Sequence, residues 1–395
     1  MLSFLFSFWS SIWSTTCMTL VYSWRTLCLL LPLKRARLSD NEKDIETARV
    51  IHPENKSTNH ADFTLTVQYQ IDLQIIGVGA AGQVYNIDDY IVLKACRIYV
   101  PPSSEATPRT LWDYASESIF HFGLIEDEKT VFRLLSQHPH PNIIDAIDTS
   151  HPEGIYLRKY QPFPRSGLPP QSDRILWYQD IIRALLHLHS LRITHSDLRK
   201  DNILLDTQGH ALLGDFGASC PFGYPNPSLP VLLNGLSEIV SDATDRFAMA
   251  SLIYEVEIGV QPRILLNDRN ELILPPVHTG HIGLDSLIKN AWREQYSSTA
   301  EMLAHAQSLH DKEDTRGQTQ HYFSKEELRL RITQWRKNRK EQHGCILYSL
   351  PTEKQLQLLA VRYGWDMDGE RRFRDNQQNS DRNSSQVDRT SNSEV

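Results

Sequence analysis

Two stretches of this chain hold chemistry-bearing residues at short, fixed spacing. The first is Ile76-Gly77-Val78-Gly79-Ala80-Ala81-Gly82-Gln83-Val84-Tyr85, a G-x-G-x-x-G-x-V pattern, after which the apolar run Tyr90 to Leu93 delivers Lys94. Glycines lack a Cβ, so backbone N–H groups can approach phosphate oxygens closely, and a lysine ammonium adds a point charge for the same groups. Dinucleotide folds use the same glycine spacing, but there a helix must follow, with a pyrophosphate on its N-terminus. Here the residues from Gln83 to Ala95 alternate like a hairpin turning at Asp88-Asp89. The second stretch is Ile193-Thr194-His195-Ser196-Asp197-Leu198-Arg199-Lys200-Asp201-Asn202-Ile203-Leu204-Leu205, followed by Leu212-Leu213-Gly214-Asp215-Phe216-Gly217. Carboxylate and amide oxygens such as those of Asp215 and Asn202 are the donors that hard Mg²⁺ prefers. A carboxylate such as Asp197 can accept a proton from a hydroxyl.

These groups need a scaffold, and 395 residues supply ample core for one. With 40% apolar and 23% charged residues, 18 Gly and 20 Pro, the composition excludes collagen-like, wholly disordered and multi-spanning membrane classes. A net charge of -7 gives no global pull toward nucleic acid or anionic lipid. The five cysteines are scattered, without C-x-x-C spacing, which argues against a disulfide framework and a structural zinc site and fits a reducing compartment. Thr64 to Ile76 alternates and is rich in β-branched residues, which predicts a strand leading into the glycines.

The flanks read differently. Residues 1–38 form a hydrophobic leader whose first 24 residues carry no charge and could span a bilayer, although nine of them are Ser or Thr. Two readings stay open: an anchor, giving membrane association through residues 1–33 and a cytoplasmic body by the positive-inside rule, or a peripheral leader. Residues 39–63 read as a polar linker and 369–395 as a disordered tail. Within 313–368, a helical extension, Phe323 to Lys340 is a helix candidate with Ser324 as N-cap and Glu327 completing a capping box. Its cluster Arg336, Lys337, Arg339 and Lys340 beside Trp335 reads as a solvated basic face, and nucleic acid is not expected as a partner.

The glycine turn, Lys94, the loop around Asp197 and the Asp215-Phe216-Gly217 element, in this order and with Asp-to-Asn and Asp-to-Asp intervals of five and eighteen, resemble the protein kinase superfamily. Their nearest likeness is to eukaryotic-type Ser/Thr kinases of a divergent fungal kind with an H-S-D-L loop. Glu128 to Leu135, running into His138-Pro139-His140-Pro141-Asn142, resembles the helix that carries the lysine's partner, and Thr244 to Glu255 the helix whose Asp245 braces the catalytic loop. The resemblance spans about residues 64–312. It implies an α+β, two-lobed fold: a small antiparallel-sheet N-lobe with one helix and a mostly helical C-lobe, with Mg-ATP in the cleft.

Residue by residue, it implies that Gly77, Gly79, Gly82, Val84, Asn202 and Leu204 hold the nucleotide, and that Lys94 meets its phosphates with Glu128 as anionic partner. Glu126 and Glu117 stay open as alternatives, because the Pro-rich insertion Val100 to Pro108 loosens the spacing. Asn202 and Asp215 would ligate Mg²⁺, Asp197 would accept the substrate hydroxyl proton, and Arg199 would contact the transferred phosphate. His195 is expected to pack under Phe216, and the hinge to fall in Tyr156 to Tyr160. The implied function is transfer of the γ-phosphate of ATP to a protein Ser/Thr hydroxyl. The rival reading is a catalytically weak or inactive nucleotide-binding scaffold. It draws on departures from the pattern: Ser196 in place of arginine, Val92 in place of a small residue, Ala250 in place of glycine, and no A-P-E between Gly217 and Asp245.

Overall fold

The computed structural model describes residues 65–367, apart from 80, 230–231, 311–313 and 318–321, together with Arg372. The leader, the linker and all of the tail but Arg372 lie outside the described residues. Among the described residues no helix is long and apolar enough to cross a membrane.

The N-lobe is a five-stranded antiparallel sheet, β1 (Ile75–Val78), β2 (Gly82–Asn86), β3 (Ile91–Cys96), β4 (Ala146–Asp148) and β5 (Ile155–Arg158), in the order β1-β2-β3-β5-β4. All six residues of β3 are buried, so it reads as an apolar run covered on both faces, with Lys94 as its one charged member. The strand expected over 64–76 is shorter than its alternation suggests. Asp72 sits at φ 56 in a turn, and Val67 pairs with Tyr99 instead of continuing into β1. Against the sheet lies α1 (Pro108–Gln137), 30 residues long. It starts inside the stretch read as an insertion, because Thr107 caps it and Pro108 occupies its first turn, where the missing N–H costs nothing.

The C-lobe is built on α2 (Gln171–Ser190), α3 (Asp242–Ile258), α4 (Ile282–Trp292) and α5 (Thr299–Gln307). Helix α3 carries Phe247, Ala248, Met249, Ala250, Leu252 and Ile253, all buried, and is central to the lobe. Short ladders complete the lobe: β6 (Gln161–Pro162), β8 (Ile203–Leu205) and β9 (Ala211–Leu213) in one, and β7 (Ile193–Thr194) with β10 (Cys220–Pro221) in another.

The C-terminal extension is part of this body. Arg316, near its start, reaches Asp180 of α2 at 2.8 Å. Helix α6 (Lys325–His343) has the Ser324–Glu327 capping box, and α7 (Glu353–Tyr363) follows. Leu328, Ile332 and Leu347 are buried in the common hydrophobic core, and Leu356 of α7 is buried as well. The solvated-face reading of the basic cluster needs correction: Lys337 and Lys340 are exposed, but Arg339 is buried and Arg336 pairs with Glu153 at 2.6 Å. Buried carboxylate and carbonyl groups of the N-lobe demand these guanidinium donors, a demand that local sequence does not display.

Candidate active site

Lys94 is placed on β3 facing α1, and the structure brings it to Glu128, at 2.7 Å, and to Asp215, at 2.8 Å. Of the three glutamates left open by spacing, only Glu128 faces the sheet at this height. Glu126 turns to Lys129 at 2.8 Å and Glu117 to Tyr99 at 3.2 Å. Glu128 also accepts from the Phe216 backbone N–H at 3.1 Å, which ties the helix to the Asp215-Phe216-Gly217 turn. Burial works against the Lys94 ammonium, but the two carboxylates hold its pKa well above the ordinary lysine value. Burial pushes the fully enclosed Glu128 carboxyl up. At Asp215 burial also opposes charge, yet Lys94 wins and holds the carboxyl below the usual range.

The triad therefore holds two carboxylates against one ammonium, an excess of negative charge beside Asp215. That donor set fits a hard divalent cation. Asn202 donates its amide N–H to the Asp197 carbonyl at 2.8 Å and carboxylate at 3.1 Å, which leaves its amide oxygen as the ligating group. Among the described residues no three His, Cys, Asp or Glu side chains form a ready metal cage. A cation at Asp215 and Asn202 would complete its shell from phosphate oxygens and water, as Mg²⁺ ordinarily does.

The catalytic loop is set from below by Asp245 of α3, fully enclosed, which accepts from the backbone N–H of His195 at 2.8 Å and of Ser196 at 3.0 Å. His189 donates to the same carboxylate at 2.9 Å. Burial opposes this charge, but these donors hold the Asp245 carboxyl below its ordinary value. The bracing matters because Ser196 sits at φ 65 and Asp215 at φ 60, a left-handed conformation that non-glycine residues adopt only under constraint. His195 packs edge-on to Phe216, 5.4 Å between ring centres, and donates through Nε2 to the Gly214 carbonyl at 3.0 Å. Phe216 in turn stacks edge-on to Phe132 of α1 at 5.3 Å, a contact that sequence reasoning did not foresee.

The remaining expected residues are placed unequally. Val84 lies opposite Lys94 in the β2–β3 register, half-buried, and Leu204 on β8 packs against the core from below. Gly79 lies over Asp215: a Cβ there would stand 3.9 Å from its Oδ2. Gly82 is needed for a different reason, since a Cβ would collide with the Ala95 carbonyl of β3. Gly82→Ala is accordingly expected to cost on the order of 2–4 kcal/mol by forcing β2 from β3, read as a lower urea midpoint with an unchanged slope. Arg199, expected to contact the transferred phosphate, pairs with Asp201 at 2.7 Å near the surface, and Lys200 pairs with Glu255 at 2.9 Å. Cys220 is a buried packing residue whose thiol burial pushes up, away from reactivity.

Comparison with known proteins agrees with this geometry. The family model described as a protein kinase domain matches residues 124–262, from just before Glu128 to beyond α3; the glycine turn and Lys94 lie outside the match and enter the site by geometry. Protein kinase 2 of Dictyostelium discoideum is 27% identical over 240 residues, 54% of this chain and 44% of that protein. The mitogen-activated protein kinase kinase kinase 3 of Arabidopsis thaliana is 29% identical over 158 residues, 37% and 23% of the two chains. Serine/threonine-protein kinase ppk6 of Schizosaccharomyces pombe is 28% identical over 207 residues, 47% and 26%. The chain thus spans less than half the length of these relatives. The ordered motifs, the two-lobed α+β fold and these matches together place the chain in the protein kinase superfamily.

Proposed function

We propose that this chain transfers the γ-phosphate of Mg-ATP to a serine or threonine hydroxyl of a protein. The observation that supports this most is the closed arrangement of Lys94, Glu128 and Asp215, with the Phe216 N–H bound to Glu128. Phosphoryl transfer asks a protein for positioning and charge neutralisation, and a lysine fixed between two acids is a preorganised cation for phosphate oxygens. Mg²⁺ bound at Asp215 and Asn202 would supply charge neutralisation at the phosphates. Asp197, oriented by Asn202 and by the Asp245 brace, stands to accept the hydroxyl proton. The name of the Schizosaccharomyces pombe relative, a serine/threonine-protein kinase, favours a Ser/Thr acceptor.

The direct test is γ-phosphate transfer by the full chain with Mg²⁺ and generic protein substrates. Transfer above that of an Asp197→Ala variant supports the reading. A melting-temperature shift with Mg-ATP but no transfer would favour the nucleotide-binding scaffold.

The pH profile carries a further prediction. Burial pushes the Asp197 carboxyl above the usual aspartate range. A base must be ionised to act, so the rate is present above this raised pKa and is lost as pH falls through it. The acid limb of kcat/KM is expected at higher pH than an ordinary aspartate would give. Asp197→Asn is expected to lower kcat by about 10²–10⁴-fold and to abolish that limb. An unchanged acid limb in the variant would assign it to another group.

A further inference from the structure

One arginine from the far end of the chain touches both halves of the site. After α7, which packs along α1 with Trp365 against Trp112 at 5.4 Å between rings, the chain reaches Arg372. Its guanidinium donates to the Gly217 carbonyl at 2.7 Å, to the Ser219 carbonyl at 3.1 Å and, through Nε, to the Asp127 carboxylate at 3.2 Å. Gly217 closes the turn that holds Asp215, and Asp127 precedes Glu128 on α1. One planar fork therefore spans the two elements that must stay together for Lys94 to keep both of its acids.

The chemistry suits arginine. Two backbone carbonyls and a carboxylate present acceptors in three directions, which the five fixed donors of a guanidinium match and a lysine ammonium does not. Asp127, nearly buried, neutralises the charge that would otherwise be costly to enclose. The catalytic loop offers no cation of its own before Asp197. Ser196 is uncharged and its hydroxyl is bonded to that of Thr194 at 2.7 Å. The Gly217 and Ser219 carbonyls after Asp215 thus meet a positive charge from Arg372, within the stretch expected as a disordered tail.

We propose that Arg372 is a positioning residue for phosphoryl transfer, holding the Asp215 turn against the helix of Glu128. Its effect on rate rests on the function proposed above, whereas its effect on local order does not. The test uses the full chain with hydrogen exchange and kinetics side by side. In Arg372→Met, amides of 124–131 and 215–221 are expected to exchange about tenfold faster or more, while those of α3 keep their wild-type protection. Transfer should show kcat reduced about tenfold or more, with KM for Mg-ATP changed less than about threefold. Unchanged exchange in both segments, or a rise shared by α3, overturns the proposal. A wild-type chain that transfers no phosphate removes the proposed function, and the exchange data still decide the role of Arg372.

Discussion

Asp215→Asn is expected to lower phosphoryl transfer by roughly a thousandfold or more and to abolish the melting shift produced by Mg-ATP, with the unliganded melting temperature moved by less than about 3 °C. The substitution keeps an oxygen where Oδ1 accepts from Lys94 at 2.8 Å and from the Gly217 N–H at 3.2 Å, so the turn keeps its geometry. What it removes is a negative charge. In the unliganded protein two effects then oppose each other. Lys94 loses one of its two anionic partners, while Glu128, pushed up by burial and by its acidic neighbour, loses that repulsion. Stability should change little. Toward a divalent cation nothing offsets the loss, because Asp215 is the anionic member of the proposed pair with Asn202. Differential scanning fluorimetry with and without Mg-ATP, beside the transfer assay, separates the two effects. An intact Mg-ATP shift in the variant would show that the cation is held elsewhere.

How far the site can be read from sequence depends on distance along the chain. His195, Asp197 and Asn202 lie on one loop, and their mutual geometry follows from local bonds such as Asn202 to Asp197. The partner of Lys94 is 34 residues away, and spacing alone left three glutamates open. The phase of a 30-residue helix, which began earlier than its glycine- and proline-containing surroundings suggest, decides among them. Gly82 was assigned to phosphate approach because its spacing fits, yet its own steric need comes from the Ala95 carbonyl on the neighbouring strand. The extension was hardest to read. A run of basic residues has the same local pattern whether it faces water or a buried acid. The partners are 183 residues apart for Arg336 with Glu153 and 136 for Arg316 with Asp180. A turn at Asp72 likewise overrides a strand alternation that is present in the residues.

That hidden dependence gives the second large effect. Arg336→Met is expected to destabilise the protein by about 3–5 kcal/mol, because it strips the guanidinium from a carboxylate that folding has already removed from water. The Glu153 side chain is 1% exposed and accepts from Arg336 Nε at 2.6 Å and its Nη2 at 3.3 Å. With Arg336 gone, the remaining contact on Oε1 is the Tyr156 hydroxyl at 2.7 Å, a neutral donor on β5 that cannot balance a charge. The thermal midpoint should fall by on the order of 10 °C. A double substitution distinguishes an uncompensated charge from a simple loss of packing. Glu153→Gln combined with Arg336→Met should recover most of the loss, since the amide still accepts from Tyr156 and leaves no charge behind. A loss unrelieved by the double substitution would mean that Arg336 acts through its aliphatic packing beside Trp335 and Tyr156 and not through its charge.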